Sequence, residues 1–248
     1  MKTTRKIVAI GGGELRDLET LEIDKRIVEL TGKTRPKALF IPTASGDATG
    51  YVDTFETCYG ERLGCQTRTL NLTQSPPTFE EMSAVVLDSD LIYVGGGNTY
   101  RMMKIWRRLG LDTVLAAAAS RGIVLLGLSA GAICWFRYGH SDSRSFSSNS
   151  EWDYIRVSGL GFINAVYCPH YHVENREASF SELIAKRGGI GIACDNNAAI
   201  EIVGDQYRVL AAPNAKAYKL FKRKGHAVIA ELNQDSEYTP LATVLQRT

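Results

Sequence analysis

Short apolar runs rich in valine, isoleucine and leucine alternate along this chain with amphipathic stretches, a rhythm that implies parallel strands joined by helical crossovers. The run KIVAI over 6–10 is closed by Gly11, Gly12 and Gly13, and a helical period follows over 18–30. Residues 38–41 (ALFI) make a second buried strand, stopped by Pro42, with a helix over 51–63 behind it. Residues 65–70 carry Gln66, Thr67 and Arg68 and predict a strand nearer an edge. The stretch FEEMSAVVLDSD over 79–90 predicts a helix whose acidic first turn suits the helix dipole.

The same rhythm continues through DLIYVGGGN over 90–98, a strand ending in three glycines, and a helix over 99–109. Residues 123–135 (IVLLGLSAGAICW) read as strand, sharp turn and helix. A serine-rich surface loop is expected over 138–150, a lid or specificity loop by its place in sequence beside that turn. A strand over 165–171 leaves the sheet at Pro169 and His170, and a helix over 175–186 follows. Residues 191–203 predict two strands about a polar turn at 195–197, and the strand-like stretches 207–210, 217–220 and 227–232 look antiparallel. The pattern therefore predicts one α/β domain over 1–248, a doubly wound, mostly parallel sheet with an antiparallel C-terminal extension.

Composition narrows the function classes. With 248 residues the chain can bury a full core. A net charge of +2 with interspersed signs argues against nucleic-acid and membrane-surface partners. The densest basic run, KLFKRKGH over 219–226, reads as the rim of a late hairpin. No signal core or membrane-length apolar run stands in the sequence, so a cytoplasmic protein is expected. Five cysteines form no C-x-x-C pair, which fits reduced thiols; Cys168 and Cys194, near the candidate site, are expected to pack in strands.

The chemistry concentrates at G-x-S-x-G, residues 127–131. A serine on such a strand-to-helix corner presents its hydroxyl, which makes Ser129 the candidate nucleophile. A serine needs a hydrogen-bonded base held in one tautomer. Of four histidines, His140 lies in the serine-rich loop and His226 in the late hairpin, while His170 and His172 stand at a strand end, where such a sheet presents catalytic groups. His170 is the first candidate and His172 the second. Asp195 and Asp142 are both candidate orienting acids. Amides of Gly96 or Gly97 and of Ala130 are candidate oxyanion donors, with Asn98 beside them as a candidate substrate contact.

Other readings fall short. A dinucleotide fingerprint would need a third glycine where Arg16 stands, and the 95–97 glycines lack the lysine of a P-loop. His170, His172 and Glu174 match no compact metal motif, so neither a metal nor another cofactor is expected. An esterase of the α/β-hydrolase type would use His226 as its base and wants an HGGG-like motif that is absent.

In order, VGGGNTYRMMK, GLSAGA, CPHY, ENREASFSELI and GIACDNNAAIEI make the chain resemble the dipeptidase E family of serine peptidases, family S51, which also includes cyanophycinase. The resemblance spans nearly the whole chain. It implies a flavodoxin-like sheet related to class I glutamine amidotransferases, with serine in place of their elbow cysteine. It implies Ser129 as nucleophile and His170 as base, with Asp195 or Asp142 as third member; Asp195 stands where the family has glutamate. Arg176, in the family's E-x-R-E segment, would pair with a substrate carboxylate. Dipeptidase E removes N-terminal aspartate from dipeptides, so a small peptide is the expected partner, with a homodimer left open.

Overall fold

Five parallel strands carry the centre of the molecule. The computed structural model describes residues 4–144, 154–173, 176–234 and 237–247. Its first half runs β1 (Lys6–Ile10), α1 (Leu21–Leu30), β2 (Lys37–Ile41), α2 (Thr49–Phe55), β3 (Gln66–Thr69), α3 (Phe79–Leu87), β4 (Leu91–Val94), α4 (Thr99–Leu109), α5 (Leu111–Ser120) and β5 (Val124–Leu128). The second half runs α6 (Ala130–Ile133), β6 (Phe136–Ser141), β7 (Ile155–Ser158), β8 (Ile163–Cys168), α7 (Arg176–Arg187), β9 (Ile190–Cys194), β10 (Ala198–Val203), β11 (Gln206–Ala211), β12 (Ala217–Arg223), β13 (His226–Leu232), β14 (Thr239–Pro240) and α8 (Leu241–Leu245).

The larger sheet has the order β14-β11-β10-β1-β5-β4-β2-β3, parallel from β1 to β3 and antiparallel from β1 to β14. Because side chains alternate across a strand, both faces of this sheet must be covered. Ile7, Ala9, Leu39, Ile41, Ile92 and Val94 enter one core, with Met82, Met102, Trp106 and Leu115 from α3, α4 and α5. Val8, Ile10, Ala38, Phe40, Leu91 and Tyr93 enter the other, with Ile23 and Ile27 of α1 and Phe55 of α2. This is the doubly wound, flavodoxin-like arrangement expected, and β3 lies at the edge as its polar residues predict.

The extension expected to be antiparallel is larger than a late appendage and is mixed, with β6, β8 and β9 parallel. A second sheet, β13-β12-β9-β8-β6-β7, joins its inner face to the first core through Phe136, Ala165, Tyr167 and Ile192. Its other face packs Val166, Cys168 and Ala193 on Phe180 and Ile184 of α7. The helix expected after the elbow shrinks accordingly to the four residues of α6, and 136–141, read in part as loop, is strand. Ile133, Cys134, Trp135 and Phe136 are all buried, leaving no polar face for a longer surface helix, so the chain crosses into the second sheet. The serine-rich stretch expected as a lid lies outside the described residues from 145 to 153. No helix among the described residues is long and apolar enough to cross a membrane.

Two other helices differ in extent. Residues 15–20 form turns, with Leu18 at φ 59°, so α1 starts at Leu21 rather than at 18. The helix expected over 51–63 is α2 followed by a π-helical segment, Glu56–Arg62.

Beneath this segment, Asp24 of α1 is fully buried, accepting hydrogen bonds from Thr20 Oγ1 at 2.8 Å and Tyr59 Oη at 2.7 Å. Burial outweighs both bonds and pushes its carboxyl up to about 6 from 3.8. The folded state therefore holds this proton more tightly than the unfolded chain. The stabilisation is complete below about pH 4 and is lost as the pH rises through 6, a change of about 3 kcal/mol. Urea unfolding of Asp24→Asn beside wild type checks this. The variant should gain relative stability of that order between pH 4 and pH 7.5, and parallel stability curves would contradict the assignment.

Candidate active site

The site is built where β1 and β5 end side by side. Ser129 follows β5 and donates its backbone N–H to Ile10 O at 3.0 Å, which ties the corner to β1. Its backbone sits at φ 55°, ψ −113°, a strained conformation for a residue with a Cβ. Glycine on each side makes the corner feasible. A Cβ on Gly127 would run into the Gly131 carbonyl, and one on Gly131 into the Val94 carbonyl. The G-x-S-x-G spacing thus lets α6 begin directly against β5 and β4.

His170 leaves the end of β8 at φ 51° and donates its backbone N–H to Gly11 O at 3.1 Å. This places His170 Nε2 2.8 Å from Ser129 Oγ. The other ring nitrogen, Nδ1, lies 2.6 Å from Asn196 Oδ1. The amide oxygen can only accept, so Nδ1 carries the proton and Nε2 is left to accept from the serine. Serine, histidine and asparagine therefore form one continuous hydrogen-bonded line.

The third member of this line is the residue after the one expected. Asp195 Oδ1 faces His172 Nδ1 at 2.8 Å, and its Oδ2 accepts from the Lys216 backbone N–H at 3.0 Å. His172 Nε2 lies 3.7 Å from Glu177 Oε2. Neighbouring turn residues point apart, so Asp195 holds the second histidine while Asn196 reaches the first. The turn is pinned by Asn197, at φ 61°, whose N–H donates to Gly12 O at 2.9 Å. Glu174 lies outside the described residues.

Asp142 and Arg176 also stand elsewhere. Arg176 is buried in α7, donates to Asp142 Oδ2 at 2.9 Å and lies 4.8 Å from the Tyr154 ring centre. Neither it nor Asp142 is among the residues that wall the cavity at Ser129. His140 is buried, 2.9 Å from Ser179 Oγ and stacked on Tyr154, and burial pushes its imidazole down to about 3, so it is neutral. His226 begins β13 on an exposed hairpin. All five cysteines are buried; burial pushes the Cys194 thiol up to about 12 and raises that of Cys168, which leaves both unreactive.

The cavity over Ser129 has a volume of about 430 Å³ and is walled by the 13–19 loop, by Gly50, Tyr51 and Thr54, and by Gly96, Leu128, His170 and Asn196. Gly96 lies against Ser129, whereas Gly97 is packed on the Ala44 backbone and does not reach the cavity. The Gly96 N–H points at Tyr51 Oη, 3.4 Å away. Ala130, first residue of α6, has no intrahelical carbonyl for its N–H. Asn98 caps α4 by accepting from the Arg101 N–H at 2.9 Å and donates to Ser143 O at 3.1 Å, so its side chain is committed to structure.

Sequence reasoning missed Asn196 and Tyr51. A Cβ on Gly12 would run into both Asn196 Oδ1 and the His170 ring. The triple glycine at the end of β1 is the only sequence signal of that approach.

The profile of Peptidase family S51 matches residues 7–210. An uncharacterized peptidase of Bacillus subtilis (strain 168), YgaJ, is 34% identical over 221 residues, 87% of this chain and 92% of that one. A protein named Peptidase E from Citrobacter koseri is 43% identical over 49 residues, 20% of this chain and 21% of its own length. The crystal structure of a peptidase from an acI-B1 Actinobacterium superposes with a TM-score of 0.72 at 21% identity, covering 96% of this chain and 98% of the other. A putative peptidase E of Listeria monocytogenes EGD-e gives a TM-score of 0.64 at 20% identity over 85% of this chain and all of its own. At those identities the two structures speak for the fold.

Proposed function

The chain belongs to peptidase family S51, and on that premise we propose that it is a serine-type exopeptidase that hydrolyses short peptides through an acyl-enzyme on Ser129. The observation that carries the reading is the line from Ser129 Oγ to His170 Nε2 at 2.8 Å and from His170 Nδ1 to Asn196 Oδ1 at 2.6 Å. Ser129 Oγ attacks the scissile carbonyl carbon while its proton passes to Nε2. The carbonyl oxygen becomes an oxyanion held by the N–H groups of Gly96 and Ala130, the first exchanging Tyr51 Oη for the substrate. The C–N bond then breaks as Nε2 returns the proton to the departing amine. Water, activated by the same nitrogen, releases the acyl group and restores Ser129.

Asn196 orients the imidazole without bringing a charge. The expectation of an N-terminal aspartate came from the dipeptidase E resemblance; Arg176, named with it as the partner of a substrate carboxylate, is buried against Asp142 and absent from the cavity wall, so the proposal extends to short peptides rather than to Asp-Xaa alone. The cavity volume suits a dipeptide or tripeptide better than a folded protein segment.

The experiment is hydrolysis of Asp-Leu, Glu-Leu, Ala-Leu and a β-aspartyl peptide, followed by released amine, beside stoichiometric labelling by a fluorophosphonate. Cleavage of at least one dipeptide together with labelling at Ser129 supports the reading. Folded protein that neither labels nor cleaves would be a binding relative and would end it.

A further inference from the structure

The loop between β1 and α1 does more than support the base. Gly13, Glu14, Leu15, Arg16 and Glu19 make one wall of the cavity at Ser129. A second hollow of about 290 Å³ adjoins it, and Leu15, Arg16, Gly50 and Thr54 line both. The two form one cleft between this loop and the start of α2, with Arg16 at their junction.

Arg16 is exposed, and no hydrogen bond or ion pair holds its guanidinium among the described residues. The other cation considered for a substrate, Arg176, already donates to Asp142. An arginine fork matches a carboxylate with two parallel N–H···O bonds. Glu14 supplies the opposite charge on the same wall, while Glu19 is turned to the Glu14 backbone N–H at 2.9 Å. A short peptide carries that pair of charges at its two ends. Every such peptide has a terminal carboxylate, whereas an acidic side chain is optional.

We propose that Arg16 binds the terminal carboxylate of the short peptide lying over Ser129 and so selects substrates by length. The inference rests on the peptidase reading for its ligand class. Its step is binding alone, so it can be tested without turnover.

The test is calorimetric titration of Ser129→Ala protein, and of the same protein carrying Arg16→Ala or Arg16→Lys, with Ala-Leu, Ala-Leu-NH2 and Asp-Leu-NH2. Ala-Leu should bind about tenfold more tightly than its amide to the Ser129→Ala protein. Arg16→Ala should abolish that preference, and Arg16→Lys should keep part of it. Because Arg16 is exposed on a loop, the variants should fold normally. If Arg16→Ala weakens Asp-Leu-NH2 and leaves the preference for Ala-Leu intact, the carboxylate read is a side chain and the length-selecting role is overturned. Affinities insensitive to Arg16, or no binding of any peptide, overturn it as well. Hydrolysis of the same peptides by wild type separately decides whether the protein is a peptidase, so the two failures are distinguishable.

Discussion

Ser129→Ala is expected to lower kcat by about a million-fold, as removal of the nucleophile does in serine peptidases. The loss is this large because, in the proposed mechanism, the hydroxyl forms the covalent bond. A residual acceleration of about a thousandfold over solution should survive, supplied by the oxyanion donors and by binding. The hydroxyl accounts for one hydrogen bond at the cavity wall, so the melting temperature should change little. His170→Ala should cost about as much, and the double variant scarcely more, because the two side chains work as one unit. Steady-state hydrolysis of a cleaved dipeptide by the three variants is the measurement. Retention of more than about one percent of wild-type kcat by Ser129→Ala would remove the acyl-enzyme from the mechanism.

The second large effect concerns Asn196. Asn196→Ala leaves the imidazole free to rotate and to change tautomer, and kcat should fall by about a hundredfold or more. Asn196→Asp should retain most of the rate and move the acid limb of the pH–rate profile upward, since a carboxylate stabilises the imidazolium that a neutral amide does not. Asp195→Asn should leave that limb in place, because Asp195 faces His172. A profile that responds to Asp195 and ignores Asn196 would return the orienting role to the acid.

These two residues mark how far the sequence could be read. The elbow was legible because its constraints are local: a buried strand, two glycines forced by backbone contacts, and a serine between them. His170 was legible because it ends a strand beside Pro169. The choice between Asp195 and Asn196 was not, since in a three-residue polar turn the direction of each side chain depends on backbone angles such as the φ of 61° at Asn197. Arg176 looked like a substrate residue on resemblance, but a helix can hold an arginine inward when an acid such as Asp142 awaits it. Arg16 stood out in the sequence only as the residue that spoils a glycine fingerprint. The second sheet escaped notice because its strands are scattered from 136 to 232 among helices and turns.

The pairing of β1 has a consequence for synthesis. This strand is made first, yet its neighbours are β5 and β10, and Ile10 lies opposite Leu128 and Ala199. Contacts so distant in sequence form slowly, and a chain emerging from the ribosome must keep Ile7 to Ile10 soluble until both partners exist. The turn that carries Asn196 arrives just before β10. A nascent chain therefore holds Ser129 long before Asn196 can reach His170, and the line that joins the three closes only when the sheet is nearly complete.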